Sequence, residues 1–508
     1  MKDRKIAIID MGSNSIVLMI IKISENGSYK MIDQAKVMVR LSEGMAKSNQ
    51  LHESAMNRAL DTIKLFKKLM DSHKVNETIA VATAAVRNAS NNASFLKMVE
   101  DTGLAFTIIS GEQESYYDYL GVINTIDIEN CIIVDTGGGS TEIILVKARK
   151  VINMISIPYG AVVLTEKFMK NKGDTKANFK KLEEFVKGKI RKIAWLKNLE
   201  DMTIVGLGGS IRNLSKVNQN QIGLLSGGIH NYSMNSQEVN ATYDMITNLD
   251  VQERRKLSGL GKDRADIIMG GLVPIKTIME HVKSNQLLIS GHGLREGIFF
   301  HNYYKMCGLS SEVVDNVLEH SLKNTLKKYE ANIPHGNHVR TLALGLFDQL
   351  KDIHKLGTEF RKLLAVGAIL HDIGLYVDYY DHHKHGFYLV LHSGIDGLTH
   401  KELLTCAFIV AMHRNEDPKI SWKEYAGYLD KSEYEKIRML GLMVQIAEGL
   451  DRNEYGNVKG IKCVVSKASV KIALTTVHIP DLEIEAARLS ERMFKKIFNR
   501  DLMIECKQ

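Results

Sequence analysis

Two stretches of the chain repeat one pattern: an apolar run, a polar turn opened by an acid, and a second apolar run. Residues 5–23 read KIAIIDMGSNSIVLMIIKI, and residues 130–147 read NCIIVDTGGGSTEIILVK. Superposing the turns pairs Asp10 with Asp135, Gly12 with Gly137 and Ser15 with Ser140. Runs rich in Ile and Val around a glycine turn predict β-hairpins, and the repetition predicts two similar subdomains. Between the copies, residues 54–70 place apolar side chains at helical spacing and residues 78–83 read as a strand. After the second copy come a Lys-rich helical stretch (175–198) and a strand (202–206) entering a glycine loop and a helix. Residues 286–300 repeat the order strand, glycine loop, helix start. From about residue 310 to 450 strand signals vanish and amphipathic helices follow one another, for example 338–350 and 359–370. Residues 461–508 are mixed again: a strand pair, one helix over 483–498 and a short apolar end. The pattern divides the chain into 1–125, 126–305, 306–458 and 459–508. The first two parts are α/β, the third is all-helical and the fourth is small and α+β.

Composition narrows the class. Hydrophobic residues make up 44% and charged residues 25%, with only five Pro, so disordered and collagen-like chains are excluded. The formal net charge of +8 permits a polyanionic partner without demanding one. Five scattered Cys form no C-x-x-C pair, which argues against a disulfide framework and a thiolate zinc site. The apolar run after MKDRKIAIID is too short for a signal peptide and enters a glycine turn. No stretch reaches the ~18 uninterrupted apolar residues of a membrane span. A cytoplasmic protein with no membrane or nucleic-acid partner is expected.

The turns carry the first chemistry. Glycine lets backbone approach a ligand closely, and clustered N–H groups form a nest suited to phosphate. An Asp leading each turn suits a hard cation such as magnesium. One turn of this kind is weak evidence; two matched turns plus Gly206–Ser210 suggest a single cleft lined from both sides. A plain hairpin needs neither a leading acid nor the sequence GGGS.

Five motifs occur in order: Asp10-Met11-Gly12-Ser13-Asn14-Ser15; Ser110-Gly111-Glu112-Gln113-Glu114; Asp135-Thr136-Gly137-Gly138-Gly139-Ser140-Thr141-Glu142; Gly206-Leu207-Gly208-Gly209-Ser210; and Ser290-Gly291-His292-Gly293-Leu294-Arg295-Glu296-Gly297. Together with residues 81–91 (VATAAVRNASN), this set resembles the exopolyphosphatase / guanosine pentaphosphate phosphohydrolase family over residues 5–300. The resemblance implies two ribonuclease-H-like subdomains of the actin-like ATPase superfamily around a cleft. It implies that Glu114 activates a water, with Glu142 as a second carboxylate near it. Asp10 and Asp135 would hold Mg²⁺. Gly12, Ser13, Asn14, Ser15, Gly137, Gly138, Gly139, Ser140, Gly208, Gly209 and Ser210 would bind phosphate, with Arg87 as a clamp. Arg295 and Glu296 are expected to brace their loop without touching substrate. One departure stands out: many relatives carry Arg or His soon after the first turn, where this chain has Ile16 and Val17. Glu112 and Glu114 also have a bland reading, as acids favoured in the first turn of a helix.

The helical part is rich in histidine. The order His338, His371-Asp372, Asp451 on consecutive helices resembles the HD phosphohydrolase superfamily. Imidazole and carboxylate groups suit divalent metals such as Mn²⁺, and His385 and His413 would serve a second ion. His382 and His383 read as a polar loop, and His392 and His400 as surface histidines. The Lys-rich run 167–197 reads as a solvated helix face or, in the sharper version, the wall of a polyanion channel.

The expected activity is Mg²⁺-dependent release of orthophosphate from polyphosphate, with the 5′-phosphate of guanosine pentaphosphate as the alternative substrate. A second phosphohydrolase activity in the helical part is a further alternative. A sugar or acetate kinase and a non-enzymatic alarmone sensor compete from other classes, and Glu114 argues against both. By resemblance alone, a homodimer is expected.

Overall fold

The computed structural model describes residues 2–169, 175–224, 228–414 and 418–506. The chain forms two compact units, Met1–Val317 and Leu318–Gln508.

The first unit is built on two sheets. Strands β1 (Arg4–Met11), β2 (Ser15–Ile23), β3 (Tyr29–Met38), β4 (Glu77–Ala82) and β5 (Thr107–Ile108) lie in the order β3-β2-β1-β4-β5. β1 and β2 form the expected antiparallel hairpin, with Asp10 opposite Val17, and β4 runs parallel to β1. The second sheet contains β6 (Cys131–Thr136), β7 (Thr141–Lys147), β8 (Lys150–Ile157), β9 (Ile204–Leu207), β10 (Tyr232–Asn235) and β11 (Gln286–Ile289). Its order, β10-β11-β9-β6-β7-β8, repeats the first with one antiparallel strand added at the edge. This is the ribonuclease-H-like order occurring twice, the actin-like arrangement.

The near-continuous apolar runs of β1 and β2 follow from covering both faces of the sheet. Ala7, Ile9, Leu18 and Ile20 face one core with Ala59, Ile63 and Phe66 of helix Glu53–His73. Ile6, Ile8, Met19 and Ile21 face another, shared with Ile298, Phe299 and Tyr303. Those last residues belong to helix Leu294–Met306, which the sequence pattern placed in the second subdomain, 126–305. The fold returns this helix to the first sheet. Conversely, helix Gly111–Ile123 sends Tyr119, Leu120 and Ile123 onto Cys131, Ile133 and Ile144 of the second sheet. Distance along the chain does not decide which sheet face a helix covers.

Helix Lys176–Ile190 carries the Lys-rich run, of which residues 170–174 lie outside the described residues. Lys167 sits 4.0 Å above the Phe185 ring and Lys189 5.0 Å from Tyr159, so these cations cover aromatic faces.

The second unit is helical, with helices Ile333–Gln349, Thr358–Leu370, His382–His392, His400–Met412 and Lys431–Gly449 around one core. Strands β12 (Val458–Val465), β13 (Ser469–Thr476) and β14 (Asp501–Cys506) form a sheet that sends Val470, Ile472 and Leu474 into that same core. Residues 459–508 therefore pack with the helices and not as a body of their own. The expected single helix 483–498 is two, Asp481–Arg488 and Glu491–Phe498. All five cysteines are free thiols, and no described helix is long and apolar enough to cross a membrane.

Candidate active site

Both matched turns point into one cleft of about 330 Å³. They approach each other closely: a Cβ placed on Gly138 would stand 2.9 Å from Ser13 Cβ and 3.3 Å from the Asn14 nitrogen. The turn residues Gly12 to Ser15, Gly137 to Ser140 and the pair Gly208–Gly209 line the cleft with Asp10, Asp135 and Glu114. Gly208 has φ of +93°, and a Cβ there would stand 2.7 Å from both Asp135 Oδ1 and the Thr136 carbonyl oxygen. Only glycine allows the third loop to close over Asp135.

Glu114 stands in the first turn of helix Gly111–Ile123, whose start is fixed by a capping box between Ser110 and Gln113. Arg87, on the short helix Ala84–Asn88, donates from Nη1 to Glu114 Oε2 at 2.9 Å and to the Ile109 carbonyl at 2.8 Å. Burial pushes the Glu114 carboxyl up to about 7, against the pull of that guanidinium. Burial also raises Asp10 to about 6, opposed by Arg295. It raises Asp135 to about 6, opposed by Arg212, Arg264 and Arg295.

Three expected site residues lie elsewhere. Arg87 lines a neighbouring cavity with Glu112 and Ser140, from where its guanidinium holds Glu114. Glu142 is buried behind the second turn, where Ser156 Oγ donates to it at 2.7 Å and burial, with the nearby acids, keeps its carboxyl far above the usual range. Ser210 turns its hydroxyl toward Gly271 of helix Ile268–His281.

The cleft also holds groups that no motif announced. Lys36, Arg212, Arg264 and Arg295 line it and face the acids. Burial, then the three arginines, brings the Lys36 ammonium down to about 8. Lys36 lies on β3 directly opposite Val17, so a cation from the next strand occupies the region where the chain lacks Arg or His after its first turn. Arg295 and Glu296 were both expected to brace their loop without touching substrate; both line the cleft, and Glu296 also accepts the Gly293 N–H at 2.9 Å. Asp118, one turn beyond Glu114, is fully buried and neither carboxylate oxygen has a hydrogen-bond partner. Asp135 Oδ1, Asn14 Nδ2, Thr136 Oγ1 and Arg212 Nε are likewise buried and unpartnered. Each such group costs about 1–3 kcal/mol until something pairs with it. Orphaned acceptors beside orphaned donors suit a cation carrying a phosphate.

The second unit gathers a separate cluster from several helix ends. Here the expected His338 is replaced by His335, one turn earlier on the same helix. His335 Nδ1 lies 2.8 Å from Asp451 Oδ2, whereas His338 Nε2 is 3.9 Å from Asp451 Oδ1. His371-Asp372 takes the expected central place, and His382 and His413 each reach Asp372 Oδ1 at 3.4 Å. His382 and His383 are buried, at 4% and 6% exposure, and do not form a polar loop. His385 stays outside the groups of converging ligand atoms found among the described residues.

Comparison with known proteins agrees with this architecture. The profile of the Ppx/GppA phosphatase family matches residues 20–305, and that of Ppx/GppA phosphatase domain III matches residues 317–491. A guanosine-5′-triphosphate,3′-diphosphate pyrophosphatase of Photobacterium profundum is 26% identical over 497 residues, 96% of each chain. The crystal structure of the Aquifex aeolicus family member is 31% identical, with a TM-score of 0.52 over 60% of this chain and 99% of its own. An exopolyphosphatase from Cytophaga hutchinsonii, 22% identical, shares the fold with a TM-score of 0.54 over 61% of this chain and 100% of its own. With both profiles laid along its length and the paired turns meeting in one cleft, the chain belongs to the Ppx/GppA phosphatase family, hydrolases of phosphoanhydride bonds.

Proposed function

We propose that this chain is an exopolyphosphatase that hydrolyses the terminal phosphoanhydride bond of inorganic polyphosphate. The observation that carries this reading is the lining of the cleft: glycine turns, Asp10 and Asp135, two carboxylates at helix starts (Glu114 and Glu296) and four cations, with no aromatic ring among the described lining residues. A purine would want an aromatic ring to stack on; a chain of phosphates wants N–H groups and cations.

Asp10 and Asp135 would hold Mg²⁺, whose positive charge neutralises phosphate oxygens; the orphaned Asp135 Oδ1 and the cradle left by Gly208 fit that role. The glycine turns fix the terminal phosphate through backbone N–H groups. Glu114 accepts a proton from water while the water oxygen bonds to the terminal phosphorus. The bridging P–O bond breaks, and the shortened chain leaves as an oxyanion. Lys36, Arg212, Arg264 and Arg295 stabilise the spreading negative charge.

Hydrolysis of the 5′-terminal phosphate of guanosine pentaphosphate is the second reading, favoured by the full-length likeness to the Photobacterium pyrophosphatase. Phosphate release from long-chain polyphosphate and from guanosine pentaphosphate, with wild type and Glu114→Gln, separates the two. Glu114→Gln is expected to lower turnover by about 10²–10⁴-fold while calorimetric binding of polyphosphate persists. Turnover of the nucleotide alone selects the second reading, and unchanged turnover in the variant rejects Glu114 as the base.

A further inference from the structure

Hydrolysis at one end of a polymer sets a problem of direction. The attacking water and the leaving oxygen stand roughly in line, on opposite sides of the terminal phosphorus. The water is held by Glu114, so the shortened chain lies on the far side of the new orthophosphate, among the cations of the cleft. Orthophosphate is then enclosed between that chain and Glu114. While the chain stays bound, the way it came in is closed to the product.

A second cavity, of about 510 Å³, lies beside Glu114, and its polar lining includes Arg87, Asn88, Ser140 and Ser156. Ser140 also lines the cleft, so the two spaces meet at the end of the second turn. Between them stands one ion pair. Glu114 faces the cleft, and Arg87, on the cavity side, donates Nη1 to it at 2.9 Å. The same Nη1 donates to the Ile109 carbonyl at 2.8 Å, which leaves Nη2 to the cavity. A Cβ on Gly111 would stand 3.8 Å from that Nη2 and 2.6 Å from Ser156 Cβ, so guanidinium, hydroxyl and bare backbone share one wall. Ser156 Oγ donates to Glu142 at 2.7 Å and keeps its lone pairs for a protonated phosphate. Neither partner of the ion pair is sealed in: Arg87 is 20% and Glu114 12% exposed at the side chain. Glu112 is exposed at the cavity's rim, where its charge repels an anion and so passes it on to solvent.

We propose that this cavity is the exit for orthophosphate, reached past the Arg87–Glu114 pair while the shortened polyphosphate remains in the cleft. The inference rests on the polyphosphatase reading above. As the water oxygen bonds to phosphorus, its proton goes to Glu114, and the electron pair of the bridging P–O bond leaves with the chain. Glu114 is then neutral, and an anion has formed beside it. Arg87 loses the charge of one partner and meets another, which it can grip with two N–H groups. Nη2, already turned to the cavity, draws orthophosphate that way. The proton passes from Glu114 to the departing orthophosphate, and the ion pair re-forms behind it. The chain can then advance by one phosphate without leaving.

Asn88→Trp and Ile155→Trp narrow the cavity at residues that do not line the cleft. Cleavage of long-chain polyphosphate by the full chain is read by rapid acid quench, and free orthophosphate by a fluorescent phosphate-binding protein. In the wild type both signals are expected to rise together. Each variant is expected to cleave a burst equal to the enzyme present and to release it after a lag. The steady-state loss is expected to be about tenfold on long chains and smaller on tripolyphosphate, whose product clears the cleft by itself. Release that keeps pace with cleavage in both variants overturns the exit, as do equal losses on the two substrates. A third measurement needs no variant: orthophosphate is expected to inhibit the wild type noncompetitively against polyphosphate, since it re-enters past a bound chain. Purely competitive inhibition overturns the route. A wild type that leaves polyphosphate uncleaved in the quench rejects the substrate reading, and the exit with it.

Discussion

Glu114 combines three physical effects in one side chain. The helix start places it, the Arg87 guanidinium holds one of its oxygens, and burial lifts its carboxyl to about 7. Only the deprotonated form accepts a proton, so kcat/KM is expected to rise with pH below about 7 and to level off above it. A pH profile of polyphosphate hydrolysis checks this; a flat profile through neutrality removes Glu114 from the proton transfer. Asp118 is the opposite case, a carboxyl without a partner. Burial, then the nearby acids, keeps its carboxyl well above the ordinary range. A raised folded value means that its contribution is fully present below the unfolded value and is lost as pH rises through the folded one. Asp118→Asn is therefore expected to change the melting temperature little near pH 4 and to raise it increasingly toward pH 8. Thermal melts across that range test the sign, and a loss that grows with pH contradicts it.

The glycine loops act as elements because each must pass close to another. A Cβ on Gly208 would meet Asp135 Oδ1 and the Thr136 carbonyl, at a φ that disfavours side chains. Gly208→Ala is expected to cost about 1–3 kcal/mol of stability, through overpacking and backbone strain, and to abolish hydrolysis by displacing Asp135. Denaturant unfolding beside the activity assay checks both; a variant with wild-type stability and turnover refutes the close packing of this loop. Helix termini play a comparable part in the second unit. The contact from Nδ1 to the carbonyl three residues back, repeated in His371, His382 and His413, aims three histidines inward without help from distant residues.

At the scale of the whole molecule, the two units carry separate cores. One lies around the two sheets, and the other gathers helices and the β12–β14 sheet. Scanning calorimetry of the full chain is expected to resolve two transitions, with polyphosphate raising only the one that belongs to the unit holding the cleft. A single transition whose calorimetric and van't Hoff enthalpies agree would reject separate cooperative units. The hairpins, the acid-led turns and an acid at the start of helix Gly111–Ile123 were all legible from the order of residues along the chain, while the proposed role of Glu114 came from the family resemblance. Each is a local device: Ile and Val runs make strands, glycine permits the turn, and Ser110 with Gln113 starts the helix. The cations Lys36, Arg212, Arg264 and Arg295 left no such mark, because they reach one cleft from four different elements and share no spacing. For the same reason His335 could not be told from His338, nor helix Leu294–Met306 be given to the first sheet. Side chains one turn apart look alike in a helical pattern, and only the crossing of one element over another selects which of them meets its partner.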